Sequence, residues 1–290
     1  MSQAIQRYND GTQNPPRLRL SHSLWSLTKL PMNGPEWSLA EKCRRVREAG
    51  FEAIECWLND ENEREIADAL RAVGLRLALG HHPFTLDDTR KTVERAKRLG
   101  ADYIFAQPAD AFIPEDAAVA LVRDGHALAS DAGVPYFMET HRNCCTETLA
   151  QTYRLLERLP DIRITADLSH FFVIGEFYGW ESERLPERLG PVLERVSSFH
   201  GRISNGEQIQ VDVGDGSGRL PQVYVEIWAQ GMRAWLRDAQ PGDVLPFASE
   251  LGPPAYAIVD PSGREISDRW EQSLVMKRLA QQAWARAIAR

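Results

Sequence analysis

The stretch LRLALGHHPFTLDDTRKTVERAKRLGADYIFAQP, residues 75–108, holds one full cycle of the pattern that decides the fold. Residues 75–82 form a short apolar run ending in two histidines, which reads as a buried strand. Residues 86–99 switch to apolar spacings of three and four with charges between them, the pattern of an amphipathic helix. Gly100 follows, and glycine adopts at little cost the left-handed backbone that closes a helix. Residues 102–108 are a second apolar run, so the unit is strand, helix, strand.

The same alternation extends in both directions. Strands are expected at 18–27, 52–58, 75–82, 102–108, 134–141, 162–170, 197–204 and 243–252. Helices are expected at 39–49, 63–73, 86–99, 115–131, 147–159, 186–196, 224–238 and 268–289. Eight strands, each followed by a helix, predict an α/β fold, a single-domain (β/α)₈ barrel. A doubly wound sheet would place a Gly-rich phosphate loop after its first strand, and Leu-Trp-Ser-Leu-Thr-Lys-Leu at 24–30 contains no glycine. Residues 1–17 read as a lead segment, poorly ordered or packed on the barrel, and residues 18–290 as the barrel with its C-terminal helix. The Gly/Asp-rich stretch 214–218 reads as a surface loop, long enough to serve as a lid.

Composition narrows the function classes. With 290 residues, 43% of them hydrophobic, the chain can bury a large core. A net charge of −7 argues against a nucleic-acid partner, whose binding draws mainly on Lys and Arg. No apolar run approaches the roughly 18 residues of a membrane span, and residues 1–13 are too polar for a signal peptide. A cytoplasmic protein without a membrane partner is expected; a homo-oligomer, dimer or tetramer, stays open. Cys43, Cys56, Cys144 and Cys145 lack CxxC spacing and read as free thiols.

In a barrel of this kind the reactive groups project from the C-terminal ends of the strands. Polar residues close nearly every apolar run: Glu55, His81 and His82, Gln107, Glu139 and His141, Asp167 and His170, His200 and Arg202, and Glu250. Strand alternation makes Glu139/His141 and His200/Arg202 share a face, with Phe137, Thr165, Ser198 and Ala248 two positions before the four metal-type ligands. One such carboxylate alone could equally cap a helix. Three carboxylates and a histidine on the fifth to eighth strands, Glu139, Asp167, His200 and Glu250, would repel at one barrel mouth unless a cation held them. This oxygen-rich set suits one divalent ion, Mn²⁺ first, with Mg²⁺, Co²⁺ or Zn²⁺ as alternatives. Trp25, Trp57, Phe84 and Phe171 are candidate apolar walls, or barrel packing.

Glu-Thr-His-Arg at 139–142, Ala-Asp-Leu-Ser-His-Phe at 166–171, Phe-His-Gly-Arg at 199–202 and Glu-Leu-Gly-Pro-Pro at 250–254 with Tyr256 together resemble the xylose isomerase-like TIM barrel superfamily. That group includes sugar phosphate isomerases/epimerases, ketose 3-epimerases, inosose dehydratases and AP endonuclease family 2-like proteins, and the resemblance spans nearly the whole chain. It implies metal ligands at Glu139, Asp167, His200 and Glu250, with Glu139 and Glu250 as the catalytic carboxylates. It implies substrate contacts at His170, Arg202 and Glu55, and at His81 or His82; His141, Gln107 and Trp25 join them as pocket candidates from their strand-end positions. Residues 205–210, Asn-Gly-Glu-Gln-Ile-Gln, are closer to a less characterised branch than to the well-studied epimerases, and the extra histidines of the trinuclear endonuclease site are not evident.

The resulting expectation is a metal-dependent isomerase or epimerase of a sugar or sugar-like hydroxycarbonyl compound, moving a proton through an enediolate. A metal-dependent lyase or dehydratase, a non-catalytic carbohydrate-binding subunit and a phosphodiesterase are the competing expectations.

Overall fold

The computed structural model describes residues 6–177 and 184–289; the first five residues of the lead segment, residues 178–183 and the last residue lie outside them. Eight parallel strands form the centre: β2 (Arg17–Ser23), β3 (Ala53–Cys56), β4 (Arg76–His81), β5 (Ile104–Ala106), β6 (Tyr136–Glu139), β7 (Arg163–Ala166), β8 (Val196–Gly201) and β9 (Asp243–Ser249). They pair in sequence order, and β9 pairs with both β8 and β2, so the sheet closes into the expected (β/α)₈ barrel. A short β1 (Tyr8–Asn9), not foreseen from the sequence, pairs antiparallel with β9 and lays the lead segment against the barrel.

The helices are α1 (Leu39–Glu48), α2 (Glu63–Ala72), α3 (Leu86–Leu99), α4 (Glu115–Asp131), α5 (Leu149–Arg158), α6 (Leu168–Ile174), α7 (Leu185–Leu193), α8 (Arg219–Leu236) and α9 (Arg269–Ile288). In the unit quoted above, α3 opens with a capping box: Asp88 N–H donates to Thr85 Oγ1 at 3.3 Å, and Asp88 Oδ2 accepts from Thr85 N–H at 2.8 Å. It closes on Gly100 at φ +68°. The strands are shorter than the apolar runs that signal them. The run at 162–170 stops being strand after Ala166, because Asp167 caps a helix there, and 24–27 leaves β2 for a 3₁₀ turn at Trp25–Leu27. None of the described helices is long and apolar enough to cross a membrane.

Alternation divides the core into two. Outward residues such as Ile54, Leu77, Leu79, Ile104 and Met138 pack beneath the helices, while Ala78, Tyr103, Phe105 and Phe137 form a separate inner cluster. Below that cluster Arg19, 1% exposed, pairs with Asp102 at 2.6 Å and lies 4.6 Å from the Tyr8 ring centre. Arg76 also pairs with Asp102. The bottom of the barrel is thus sealed by a charged cluster, and the top is left for chemistry.

Two stability outcomes follow from these contacts. Asp102→Ala leaves the Arg19 guanidinium buried without its carboxylate, so urea unfolding is expected to show a loss of about 3–5 kcal/mol; a loss below 1 kcal/mol would contradict the contact. His81, at the end of β4, is held between Thr89 Oγ1 at 3.2 Å and Thr92 Oγ1 at 2.9 Å, and burial lowers it to about 4. A histidine lowered on folding stabilises fully above its unfolded value and loses that contribution as pH falls towards the folded one. The stability gap between the wild type and His81→Gln should therefore shrink between pH 6.5 and 4 at about 1.4 kcal/mol per pH unit. A gap constant over that window in urea titrations refutes it.

Candidate metal centre

Four consecutive strands deliver the tetrad. β6 ends on Glu139, β8 carries His200, and Glu250 directly follows β9. Asp167 follows β7, and its Oδ1 accepts from Ser169 N–H at 3.1 Å and from Ser169 Oγ–H at 2.5 Å. Two positions earlier, the Thr165 and Ser198 hydroxyls meet inside the barrel at 2.5 Å, as the alternating rows require. The backbone N–H of Glu250 donates to Gly201 O at 3.2 Å, which fixes the end of β9 against β8. One ligand atom each from Glu139, Asp167, His200 and Glu250 lies within 4.8 Å of the others, and all four residues are buried.

The charges around this point are dense. His200 Nδ1 lies 3.1 Å from Glu139 Oε1 and 2.9 Å from Glu250 Oε2, and its Nε2 lies 2.8 Å from Glu55 Oε2. Arg202 Nη1 lies 2.9 Å from Asp167 Oδ2, while Nη2 and Nε donate to Glu250 Oε2 and Glu250 O at 3.1 and 2.8 Å. Burial pushes Glu139 up to about 7, against the pull of His200. Burial also raises Glu250, but His200 and Arg202 outweigh it and bring it down to about 2. For His200 burial acts downward, and Glu250, Glu139 and Glu55 together hold it well above the usual imidazole range.

The other residues expected at the mouth divide into three groups. His170, on the first turn of α6, accepts from Arg202 Nη1 at Nε2 (3.2 Å), and its ring stands 4.0 Å from that of His141. Gln107 donates to Glu139 Oε2 at 3.0 Å. Trp25 packs edge-on to Tyr256 at 5.1 Å over the Arg202 guanidinium. These belong to the cluster or its roof. His81 turns into the helix layer and has both nitrogens engaged there, and His82 is exposed against Phe84. Glu55 is at the centre, but behind the His200 ring rather than at the open side.

Sequence reading passed over Tyr103, Phe105 and Arg142. Tyr103 donates to Glu55, Phe105 stands edge-on to His200 at 4.9 Å, and Arg142 lies over Tyr256 at 4.9 Å. Tyr103 and Phe105 share the inward row of Gln107, so extending its alternation backwards would have found them. Arg142 stands in the Glu-Thr-His-Arg stretch quoted above but was given no role of its own.

The donor set fits a divalent cation. Three buried carboxylate groups and an imidazole converge, Asp167 Oδ2 has no hydrogen bond of sound geometry among the described residues, and the thiols of Cys144 and Cys145 are not part of the set. Hard oxygen donors with one nitrogen match Mg²⁺ or Mn²⁺ chemistry. The sequence matches the family described as xylose isomerase-like TIM barrel over residues 43–208, more than half of the chain. This protein belongs to that family.

Several solved structures share its fold. A xylose isomerase-like TIM barrel protein from Mycobacterium smegmatis, in complex with magnesium, has a TM-score of 0.60 at 15% identity, covering 96% of this chain and 98% of that one. A D-allulose 3-epimerase from Methylomonas sp. has a TM-score of 0.60 at 16% identity, covering 93% and 99%. The probable 3-DHS dehydratase AsbF from Bacillus anthracis has a TM-score of 0.57 at 18% identity, covering 90% and 98%. At these identities the likeness is one of fold. No curated protein matches the sequence.

Chelator-treated protein titrated with Mn²⁺ is expected to bind one ion per chain. At a free ion concentration of 100 Kd the fold gains about 2.7 kcal/mol, read as a rise in Tm, and Asp167→Asn removes most of that gain. Titrations with Mn²⁺, Mg²⁺, Co²⁺ and Zn²⁺ that give neither binding heat nor a Tm change would overturn the assignment.

Proposed function

We propose that this chain is a divalent-metal-dependent isomerase or epimerase that moves a proton on a sugar or sugar-like hydroxycarbonyl compound. The observation that carries this reading is the approach of Glu139, from β6, and Glu250, from the far side of β8, to a single point beside His200 Nδ1. Two carboxylates reaching one locus from different walls can serve two faces, or two carbons, of one small substrate.

Removing a proton from carbon beside a carbonyl needs a placed base and compensation of the negative charge left behind. Glu139, Asp167, His200 and Glu250 would hold the divalent ion, which would supply that compensation. One of the two glutamates takes the proton from carbon, the C–H electron pair becomes the new carbon–carbon double bond, and the carbonyl π pair moves onto its oxygen. The other glutamate, protonated, gives a proton back to the opposite face, or the first returns it to the neighbouring carbon.

His170 is suited to hold a substrate oxygen. Its Nε2 accepts from Arg202, so in the neutral ring the proton sits on Nδ1, and that buried atom has no partner among the described residues. A buried donor left unmatched costs free energy until a ligand oxygen accepts from it. Burial, then the neighbouring His141 and Arg202, hold His170 well below the usual range, which keeps the ring neutral for this role. Trp25 and Tyr256 roof the cluster and exclude water, which strengthens the charge interactions beneath them.

The test is deuterium wash-in from D₂O with Mn²⁺ and a panel of ketoses, 3-keto-sugars and inososes. Exchange at carbon without loss of water is expected, and Glu139→Gln and Glu250→Gln should each slow it by about 10²-fold or more. Elimination of water from a panel member would point to a dehydratase instead, and full exchange in both variants would refute the roles of the glutamates.

A further inference from the structure

Glu55 lies on the side of the His200 ring opposite Glu139 and Glu250. It projects inward from β3, is 1% exposed, and meets the ring nitrogen of His200 that faces away from Glu139 and Glu250. Its second oxygen accepts from the hydroxyl of Tyr103, itself fully buried just before β5 on the inward row that Phe105 continues. Tyr103, Glu55 and His200 therefore form a line of hydrogen bonds from the barrel interior up to the tetrad.

The aromatic packing on the same side holds the ring in that line. Phe105 stands edge-on to His200 at 4.9 Å, and Trp57 stands edge-on to Phe105 at 5.7 Å. Gly80 makes room for both: a Cβ there would come within 2.6 Å of the Trp57 ring and 2.9 Å of Phe105.

We propose that Glu55 is a positioning residue for the metal, accepting the Nε2–H of His200 and so leaving the Nδ1 lone pair aimed between Glu139 and Glu250. A neutral imidazole carries one proton, and it can ligate only through the nitrogen that lacks it. Glu139 and Glu250, both beside Nδ1, would otherwise draw the proton to that side and block the ligand atom. Glu55 offers a buried carboxylate to the opposite nitrogen, and Tyr103 keeps that carboxylate from rotating away. Partners of this kind fix ring orientation and tautomer at metal sites, and their removal costs about 10- to 100-fold in metal affinity.

This inference rests on the metal reading of the tetrad, and the experiment separates the two. Mn²⁺ binding to chelator-treated protein is measured calorimetrically at fixed pH for the wild type, Glu55→Ala, Glu55→Gln and Tyr103→Phe, each checked for folding by its metal-free Tm. Glu55→Ala is expected to weaken Mn²⁺ by about 10- to 100-fold. Glu55→Gln keeps an acceptor and should recover part of that loss, and Tyr103→Phe should fall between the wild type and Glu55→Ala. In the Mg²⁺-loaded wild type, long-range ¹H–¹⁵N spectra should show His200 protonated on Nε2.

A merely structural Glu55 would lower the metal-free Tm and leave the Kd of the folded variant unchanged. A Kd within about twofold of the wild type in every folded variant, or a Nδ1–H signal from His200, overturns the role of Glu55 while leaving the tetrad intact. A wild type that binds no ion overturns the metal reading itself, and this inference with it. Should Glu55→Ala fail to fold, Glu55→Gln and Tyr103→Phe decide by the same criterion.

Discussion

Everything at the top of this barrel depends on how negative charge is balanced away from water. Glu55, Glu139, Asp167 and Glu250 are each buried, and among the described residues Arg202 and His200 are the basic groups that lie closest to them. An isolated carboxylate in such a place would protonate rather than pay the desolvation cost. The raised Glu139 and the strongly raised His200 are two expressions of that pressure. A divalent ion held among these residues would offset the same negative charge.

The barrel makes that concentration of charge tolerable by separating it from a second one. Arg19, Asp102 and Arg76 close the opposite end, and between the two lies the inner cluster of Ala78, Tyr103, Phe105 and Phe137. Tyr103 and Phe105 are more than filling, since one holds Glu55 and the other flanks the His200 ring. The layer that insulates the two charged ends also orients the upper one. A stabilising core and a positioned ligand are here the same side chains.

How much of this could be read from the sequence follows from what each residue's signal depends on. Period-two alternation is local, so Glu139 above Phe137 and His200 above Ser198 were legible as inward rows, and with them the closed barrel. Helix starts inside an apolar run were less legible. Leu168–Ile174 looks like a continuation of strand because its first five residues are all buried, and only the cap at Asp167, with Ser169 two residues on, marks the change. The placement of Glu55 behind His200 depends on residues 145 positions apart. So does the roof, where Arg142, Tyr256 and Trp25 meet from three different loops. Nothing in a window of ten or twenty residues encodes such contacts.

The two arms of Arg202 connect the pieces. Its guanidinium neutralises Asp167 and Glu250, leans on the rings of Trp25 and Tyr256, and donates to His170. Since a guanidinium only donates, that last bond makes His170 Nε2 the acceptor. A planar fork with five donors can do this where a lysine could not, because the contacts to carboxylate, imidazole and backbone carbonyl leave in fixed directions. The two histidines of the site thus each meet a charged neighbour, Arg202 at His170 Nε2 and Glu55 at His200 Nε2.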